Sequence, residues 1–203
     1  MEEEPLEDGK ILLIIDISEQ YYCYTQCFSA KQAARLSEYK CWDHHIPLQG
    51  PNTKISIGAI YNTTWEEDEA LWKYLQGNIP TEKVWCSRSA AAIPILFVGK
   101  KDRFRRLCVD YRALNRLTIP NKYPLPLISE LLDKTRGKKS FTRLDLKNEY
   151  NLIRIVVGGE WKTAFQTKQG FFKYTVMLFG LTNAPASFQE MIEIIFKDME
   201  GYI

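Results

Sequence analysis

The sequence lacks the features that would place this chain in a membrane or outside the cell. Ile11–Ile15, the longest apolar run near the amino terminus, has five residues, whereas a membrane-spanning helix needs about 20. The start, Met1–Glu4, is acidic, which is the wrong charge for a secretory or mitochondrial presequence. We therefore expect an intracellular protein, in the cytoplasm or the nucleus, with no membrane partner.

Cysteine is scarce and irregularly spaced. The five cysteines are odd in number and show no disulfide-framework spacing, which indicates a reducing compartment. One group raises the alternative of a zinc site: Cys23, Cys27, Cys41, His44 and His45. Its spacing fits no zinc finger or knuckle well, so thiols without a metal are the favoured interpretation.

Repeats and low-complexity tracts are also absent, so one globular domain is expected from 203 residues that are 45% hydrophobic. The net charge of +2 hides an asymmetry. Residues 1–98 hold 8 basic and 14 acidic residues, and residues 99–203 hold 19 and 11. Residues 100–154 alone hold 15 basic and 6 acidic residues. This composition suits a polyanion such as nucleic acid or a nucleoside triphosphate, but it equally fits a solvated charged face.

The first half of the chain carries one strong structural signal. Residues 1–28 are predicted to form an acidic irregular leader and residues 29–86 a connector, in which Ser29–Tyr39 has helical composition. Thr64 and Glu67 have the spacing of a capping box, in which each side chain satisfies a free N–H group at a helix start. We therefore predict a helix over residues 65–76 that stops at Gly77.

From residue 93 onward, short apolar runs separated by turns predict strands. The predicted strands are residues 93–98, 107–110, 141–146, 153–157, 161–167 and 171–176, with a hairpin turn at Gly158–Gly159. A short helix is predicted over residues 127–134. A final helix begins near Pro185 and carries one apolar face, formed by Phe188, Met191, Ile192, Ile195, Phe196 and Met199. The class is α+β.

Four blocks of sequence carry a resemblance to a known family. They are Ile93–Val98 with Lys100–Asp102 and Arg106–Asn115; Tyr123–Pro126; Phe141–Leu146 with Tyr150 and Ile153–Ile155; and Trp161–Phe165 with Phe179–Gln189. In order and spacing they resemble the reverse transcriptase of Ty3/gypsy-type LTR retrotransposons. The resemblance implies an RNA-directed DNA polymerase in which residues 87–203 form fingers and palm, with antiparallel strands packed against helices and the thumb absent.

The resemblance also implies a metal site. Template-directed DNA synthesis is an in-line displacement at phosphorus, which two Mg²⁺ ions assist. Mg²⁺ is held by carboxylates together with substrate phosphates. The resemblance makes Asp145 the first metal-binding, catalytic carboxylate, whereas a lone Asp at a strand end is more often a turn or cap residue.

Further residues match the nucleotide site of the family: Lys100, Lys101, Arg106, Tyr150, Gly180, Pro185 and Gln189. By resemblance, the basic residues line a fingers hairpin that closes over the triphosphate, and Tyr150 lies under the incoming sugar. Gly180 and Pro185 contact the nucleotide and the template, and Gln189 lies on the same helix as Pro185. Taken alone, the basic residues also fit a solvated hairpin, and Tyr150 fits ordinary packing. The implied partners are a template–primer, a deoxynucleoside triphosphate and the rest of a polyprotein.

Several departures from the family pattern bear on activity. The family carries a Tyr-x-Asp-Asp hairpin after the motif that ends near Gln189, and the sequence holds no Asp-Asp pair. Because one carboxylate cannot hold two Mg²⁺ ions, we expect this chain alone to be inactive as a polymerase. Glu149 adds negative charge beside the nucleotide, and Arg103 replaces a turn glycine. The alternative function is a non-catalytic, nucleic-acid-binding remnant of a decayed element.

Overall fold

The structure, a computed structural model, describes residues 19–50, 53–55, 57–99, 105–141 and 145–199. These residues divide into two compact units at Arg35 and Leu36. The first unit consists of a 3₁₀ helix, Glu19–Phe28, and helix α1, Ala30–Ala34. The end of the predicted irregular leader is therefore helical, and the helical composition of Ser29–Tyr39 yields only five α-helical residues. Residues 1–18 of that leader lie outside the described residues.

Helix α2 spans Trp65–Asn78 and begins as predicted. The Oγ1 of Thr64 accepts a hydrogen bond from the Glu67 N–H at 3.3 Å, and Glu67 Oε2 accepts one from the Thr64 N–H at 2.9 Å. The predicted stop at Gly77 is wrong. The N–H of Ile79 still donates to the Leu75 carbonyl at 2.9 Å, so the helical hydrogen bonding passes through the glycine.

Five strands form one mixed sheet in the order β1-β5-β4-β2-β3. Their bounds are β1, Val84–Cys86; β2, Ile93–Gly99; β3, Arg105–Val109; β4, Phe165–Thr167; and β5, Gly170–Tyr174. Antiparallel pairing joins β2 to β3, β4 to β5 and β1 to β5. Strands β2 and β4 are parallel. The predicted β2 and β3 are thus confirmed, whereas β1 and the parallel pair were not predicted.

One predicted strand is reduced to bridges, and another lies partly outside the described residues. Residues 153–157 make only isolated bridges, one of which joins His44 to Ile155. Ile153 and Ile155 are both completely buried, and backbone hydrogen bonds join this stretch to residues 175–177 on one side and to His44 on the other. Phe141, Asp145 and Leu146 lie outside any strand, and residues 142–144 lie outside the described residues.

The predicted strand over residues 161–167 is shorter than expected, and the hairpin turn lies elsewhere. Glu160–Thr163 forms a 3₁₀ helix, so β4 begins only at Phe165. Gly158, with φ +79°, leads into this helix instead of joining two strands. The tight connection is at Lys168 and Gln169, between the antiparallel strands β4 and β5.

Three further helices complete the second unit: α3, Arg112–Leu117; α4, Ile128–Thr135; and α5, Ala184–Ile195. Helices α4 and α5 confirm the two helices predicted there, and α3 was not predicted. Only the first half of the apolar face of α5 reaches the core. Met191 is buried, whereas Ile195 is 52% exposed and Met199, in a following 3₁₀ turn, is 47% exposed.

Two apolar clusters hold the second unit together. One contains Ile153, Ile155 and Met177 from the carboxyl-terminal half and Ile46 from the predicted connector. In the other, Leu71 and Leu75 of α2 pack against the sheet, where Phe165 and Tyr174 are buried. The predicted connector from residue 36 onward therefore shares its core with residues 87–199. Among the described residues, no helix combines the length and hydropathy needed to cross a membrane.

Candidate active site

A cleft lies where β3 meets the loop that precedes α5. It encloses about 370 Å³ and is lined by Tyr74, Arg106, Leu107, Cys108, Val109, Asn148, Asn151, Tyr174, Leu178 and Phe179. We call it the β3 cleft. Arg106 and Phe179 are exposed at its surface. The cleft brings three of the resembling blocks together, because its walls include residues 106–109, Asn148 with Asn151, and Leu178 with Phe179.

Tyr150 lies beside the β3 cleft in an aromatic group. Its ring centroid is 4.4 Å from that of Phe179 and 5.5 Å from that of Phe188. Burial raises the pKa of the Tyr150 hydroxyl, and the neighbouring Glu149 carboxylate adds to this shift. Asn148, with φ +54°, is in the left-handed conformation immediately before the short 3₁₀ helix Glu149–Leu152. Tyr150 is thus held beside the cleft by packing against two other aromatic rings.

The loop at Gly180 is fixed by an asparagine of α3. Asn115 Nδ2 donates to the Gly180 carbonyl at 2.6 Å, and Asn115 Oδ1 accepts from the Thr182 N–H at 2.9 Å. Gly180 has φ +93°, a conformation that strains any residue with a Cβ. Phe179, the residue before Gly180, lines the β3 cleft. Asn115 and Gly180 therefore together fix the position of Phe179 in the cleft wall.

The start of α5 is tied to the segment that follows α3. Asn183 is buried; its Nδ2 donates to the Ile119 carbonyl and its Oδ1 accepts from the Asn121 N–H, both at 2.9 Å. Pro185 lies in the first turn of the helix and is exposed. Reasoning from sequence missed Asn115, Asn121 and Asn183, since nothing in the local pattern distinguishes an asparagine that bridges two loops from one in a turn.

Gln189 is engaged with its own helix. Its Nε2 donates to Glu193 Oε1 at 2.8 Å, and the Tyr123 hydroxyl donates to Glu193 Oε2 at 2.5 Å. This carboxylate raises the pKa of Tyr123 to about 12. The second resembling block, Tyr123–Pro126, therefore contacts the helix that carries Gln189, through a glutamate that the sequence did not single out.

Asp145 is the predicted metal ligand. Asp145 is exposed and lies in a coil segment. Its hard carboxylate oxygens fit Mg²⁺ as one ligand. In the described ranges, no group of three His, Cys, Asp or Glu side chains is close enough to hold a metal ion. Lys100 and Lys101 lie outside the described residues, so Arg106 is the predicted triphosphate ligand that the structure locates.

Asp110 and Arg112 form a local ion pair. Two nitrogens of Arg112 donate to the two carboxylate oxygens of Asp110 at 2.8 and 2.7 Å. The guanidinium lowers the pKa of Asp110. Because the partners are two residues apart, the pair joins the end of β3 to the start of α3.

Residues 98–203, just over half of the chain, match the reverse transcriptase (RNA-dependent DNA polymerase) family. The chain belongs to the reverse transcriptase family. It is 49% identical over 112 residues to the Transposon Tf2-3 polyprotein of Schizosaccharomyces pombe. The match covers 55% of this chain and only 8% of that polyprotein. The retrotransposon reverse transcriptase predicted from the four blocks is confirmed.

Solved structures of reverse transcriptases share this fold. The foamy viral protease–reverse transcriptase in complex with double-stranded DNA matches with a TM-score of 0.70 and 18% identity, over 99% of this chain and 38% of that one. The same protein in complex with an RNA/DNA hybrid matches with a TM-score of 0.66 and 17% identity, over 98% and 29%. The α+β fingers and palm fold of a reverse transcriptase domain is thus confirmed.

Proposed function

We propose that this chain provides the nucleotide-binding part of an RNA-directed DNA polymerase that a retrotransposon polyprotein encodes. The proposal rests on the β3 cleft. It combines an exposed guanidinium, Arg106, with an exposed aromatic ring, Phe179, beside the packed ring of Tyr150. A guanidinium suits phosphate oxygens through its planar fork of donors, and aromatic rings suit the flat faces of a nucleoside.

Within this proposal each predicted residue has a separate task. Arg106 binds the triphosphate, together with Lys100 and Lys101. Tyr150 supports the incoming sugar. Gly180 and Pro185 contact the nucleotide and the template, and Gln189 lies on the same helix as Pro185. Residues 87–203 form the fingers and palm, and the template–primer is the partner of their basic surface.

We include Mg²⁺ in the proposal as the cofactor that Asp145 holds. The family implies this ion, and one carboxylate fits it when the nucleotide supplies phosphate oxygens as further ligands. When bound, the ion neutralises the charge that develops on the transferred phosphoryl group. We place this function in the cytoplasm or the nucleus, because the five cysteines show no disulfide-framework spacing.

Replacing Arg106 by Ala tests the role of the cleft. We expect the affinity for a fluorescent deoxynucleoside triphosphate, measured by anisotropy with Mg²⁺ and a primed template, to fall about tenfold, since one charged hydrogen-bond donor to phosphate is lost. Arg88→Ala is the matched control, because Arg88 is exposed and lies outside the cleft. It is expected to change the affinity by less than about twofold. Equal losses in both variants, or no loss in Arg106→Ala, would refute the proposal.

A second arm of this experiment concerns the metal. Asp145→Asn is expected to reduce the gain in nucleotide affinity that Mg²⁺ provides, while the affinity in EDTA stays unchanged. Asp198→Asn is the control, since Asp198 is another exposed aspartate. If Asp145→Asn and Asp198→Asn respond alike to Mg²⁺, Asp145 is not the metal ligand.

Binding of nucleic acid without chemistry is the second candidate function. Several exposed basic side chains favour it, among them Arg106, Arg112, Arg116, Lys138, Lys139 and Lys147. We expect the affinity for an RNA/DNA duplex to fall with salt, with a slope of roughly −3 or steeper in log–log form, because each contacted phosphate releases a counterion. Filter binding at several salt concentrations measures the slope. Affinity that does not change with salt would contradict this function.

A further inference from the structure

The β3 cleft carries hydroxyl groups as well as a cation. Tyr74 of α2 and Tyr174 of β5 line it, together with the guanidinium of Arg106 and the amides of Asn148 and Asn151. All five side chains can donate hydrogen bonds. In the described part of the chain, no carboxylate belongs to this lining. The cleft therefore suits a ligand that is rich in acceptor oxygens, such as a phosphate group.

The hydroxyls of Tyr74 and Tyr174 interact with each other. Burial raises the pKa of Tyr74, and a hydrogen bond with Tyr174 opposes this rise. Burial also raises the pKa of Tyr174 well above its ordinary value, and the interaction with Tyr74 adds to the rise. Two hydroxyls carry two protons, and a bond between them uses one. One proton of the pair is therefore available to a ligand in the cleft.

A third hydroxyl, that of Tyr111, lies close to this pair. Tyr111 is 2% exposed, and among the described residues its buried hydroxyl has no hydrogen-bond partner. Its ring lies next to the loop at Gly180, where an added Cβ would be 3.6 Å from Tyr111 Cδ2. Besides burial, the nearby Tyr74 raises the pKa of Tyr111, and Tyr111 in turn helps to raise that of Tyr174. The three hydroxyls therefore converge on one place beside the cleft.

The burial of these hydroxyls is not explained by packing. Tyr111 and Tyr174 belong to the two apolar clusters of the core. Phenylalanine would fill the same positions without the cost of burying a hydroxyl. An unpaired buried hydroxyl is destabilising, so a conformation in which Tyr111 gains a partner is favoured once that partner comes within reach.

We propose that the three hydroxyls form a hydrogen-bond chain that ends on a phosphate oxygen of the ligand in the β3 cleft. Tyr111 donates to Tyr174, Tyr174 donates to Tyr74, and Tyr74 donates to the phosphate. Without a ligand, the first of these links is open. A phosphate that accepts from Tyr74 makes each hydroxyl behind it a better acceptor, because hydrogen bonds in a chain polarise one another. Binding therefore closes the link from Tyr111.

This inference rests on the proposed nucleotide-binding function and adds residues to it. Tyr74 becomes a ligand-binding residue beside Arg106. Tyr174 and Tyr111 are positioning residues, since they act on the ligand only through Tyr74. The fingers hairpin and the helix α2 are thereby joined at the cleft, because Tyr111 follows β3 directly in the chain and Tyr74 lies on α2.

Tyr74→Phe tests the end of the chain of hydroxyls. The full 203-residue protein is titrated with a fluorescent deoxynucleoside triphosphate, Mg²⁺ and a primed template, and binding is followed by anisotropy. We expect the affinity to fall about tenfold, because a hydrogen bond to a charged phosphate is lost. Inorganic tripolyphosphate, used as a competitor, is expected to lose affinity by the same factor. Tyr22→Phe is the matched control, since Tyr22 is 57% exposed and lies outside the cleft, and it is expected to change the affinity by less than about twofold.

Tyr111→Phe distinguishes the hydroxyl chain from ordinary packing. It is expected to raise the melting temperature of the ligand-free protein by about 3 °C, because it removes an unpaired buried hydroxyl. It is also expected to lower the nucleotide affinity about threefold, because the first link is lost. In a Tyr74→Phe background, the same change is expected to alter the remaining affinity by less than about 1.5-fold. A packing defect would instead lower both stability and affinity, and its effects would add in the double variant.

The outcomes separate this inference from the function on which it rests. If Arg106→Ala weakens binding and Tyr74→Phe does not, the hydroxyl chain is overturned and the nucleotide-binding cleft stands. If neither variant weakens binding, both are overturned. A Tyr74→Phe loss that tripolyphosphate does not share shows that the acceptor is not a phosphate. A lower melting temperature in Tyr111→Phe shows that its hydroxyl is already paired without a ligand. Either result overturns the inference.

Discussion

Replacing Phe165 by Ala is expected to lower the free energy of unfolding by about 4 kcal/mol, the usual cost of truncating a fully buried phenylalanine. Phe165 is completely buried in β4. Its ring centroid lies 4.8 Å from that of Tyr174 and 5.7 Å from that of Phe172. Its backbone pairs with Ile93 of the parallel strand β2. One truncation therefore loosens the contact of β4 with both neighbouring strands.

Phe171 provides the matched control for this measurement. It lies on β5 opposite Gln166, yet 47% of it is exposed. Phe171→Ala removes the same side chain from the same hairpin, and it is expected to cost less than about 1 kcal/mol. Urea unfolding followed by circular dichroism measures both variants. If the two losses are similar, the cluster around β4 is not the core that its burial indicates.

Acid is expected to destabilise the protein through His44. This side chain is 1% exposed, and its Nδ1 lies 2.8 Å from Ser187 Oγ of α5. Burial lowers the pKa of His44 to about 4 from 6.5, and the charge of His45 contributes. The folded state holds this imidazole neutral, so the unfolded state binds more protons between these two values. Stability is complete above pH 6.5 and is lost as the pH falls, by about 3 kcal/mol at pH 4.

The comparison of two histidine variants isolates this effect. His44→Asn is expected to flatten the pH dependence of the free energy of unfolding between pH 7 and pH 4, because asparagine does not titrate. His45→Asn is expected to keep it, since His45 is exposed. The carboxylates titrate in the original chain and in both variants, so their contribution to the pH dependence cancels when the profiles are subtracted. Parallel pH profiles for the original chain and His44→Asn would show that His44 is not buried neutral.

Local chemistry predicted much of the fold. Thr64 and Glu67 marked the start of α2, because a capping box satisfies its hydrogen bonds within one turn. Pro185 and the apolar period marked α5, because proline fits the first turn of a helix and one apolar face at helical spacing packs against the core. The strand predicted over residues 153–157 is reduced to isolated bridges, because its neighbours, His44 on one side and residues 175–177 on the other, pair with it over only a few residues. Periodicity measures which side chains are buried and does not identify the strand that they pair with.

The candidate site was predicted through family resemblance more than through pattern. The resemblance identified Arg106, Tyr150 and Gly180, and the structure places their segments around one cleft. Their roles stay predictions. The bridging asparagines, such as Asn115 and Asn183, were not predictable, because each joins segments more than 60 residues apart in the chain. Such pairs depend on the tertiary fold, which a single sequence does not reveal.

The parallel pairing of β2 with β4 has a consequence for the order of folding. Strand β2 and its antiparallel neighbour β3 are close in sequence, so their hairpin closes a short loop and forms early. The other edge of β2 pairs only with β4, whose Phe165 is some 70 residues later in the chain. Strand β1 is separated from its partner β5 by a still longer stretch of sequence. A nascent chain on the ribosome therefore presents Ile93 and Ile95 to the solvent until the β4–β5 hairpin emerges, and chaperones have that interval in which to bind it.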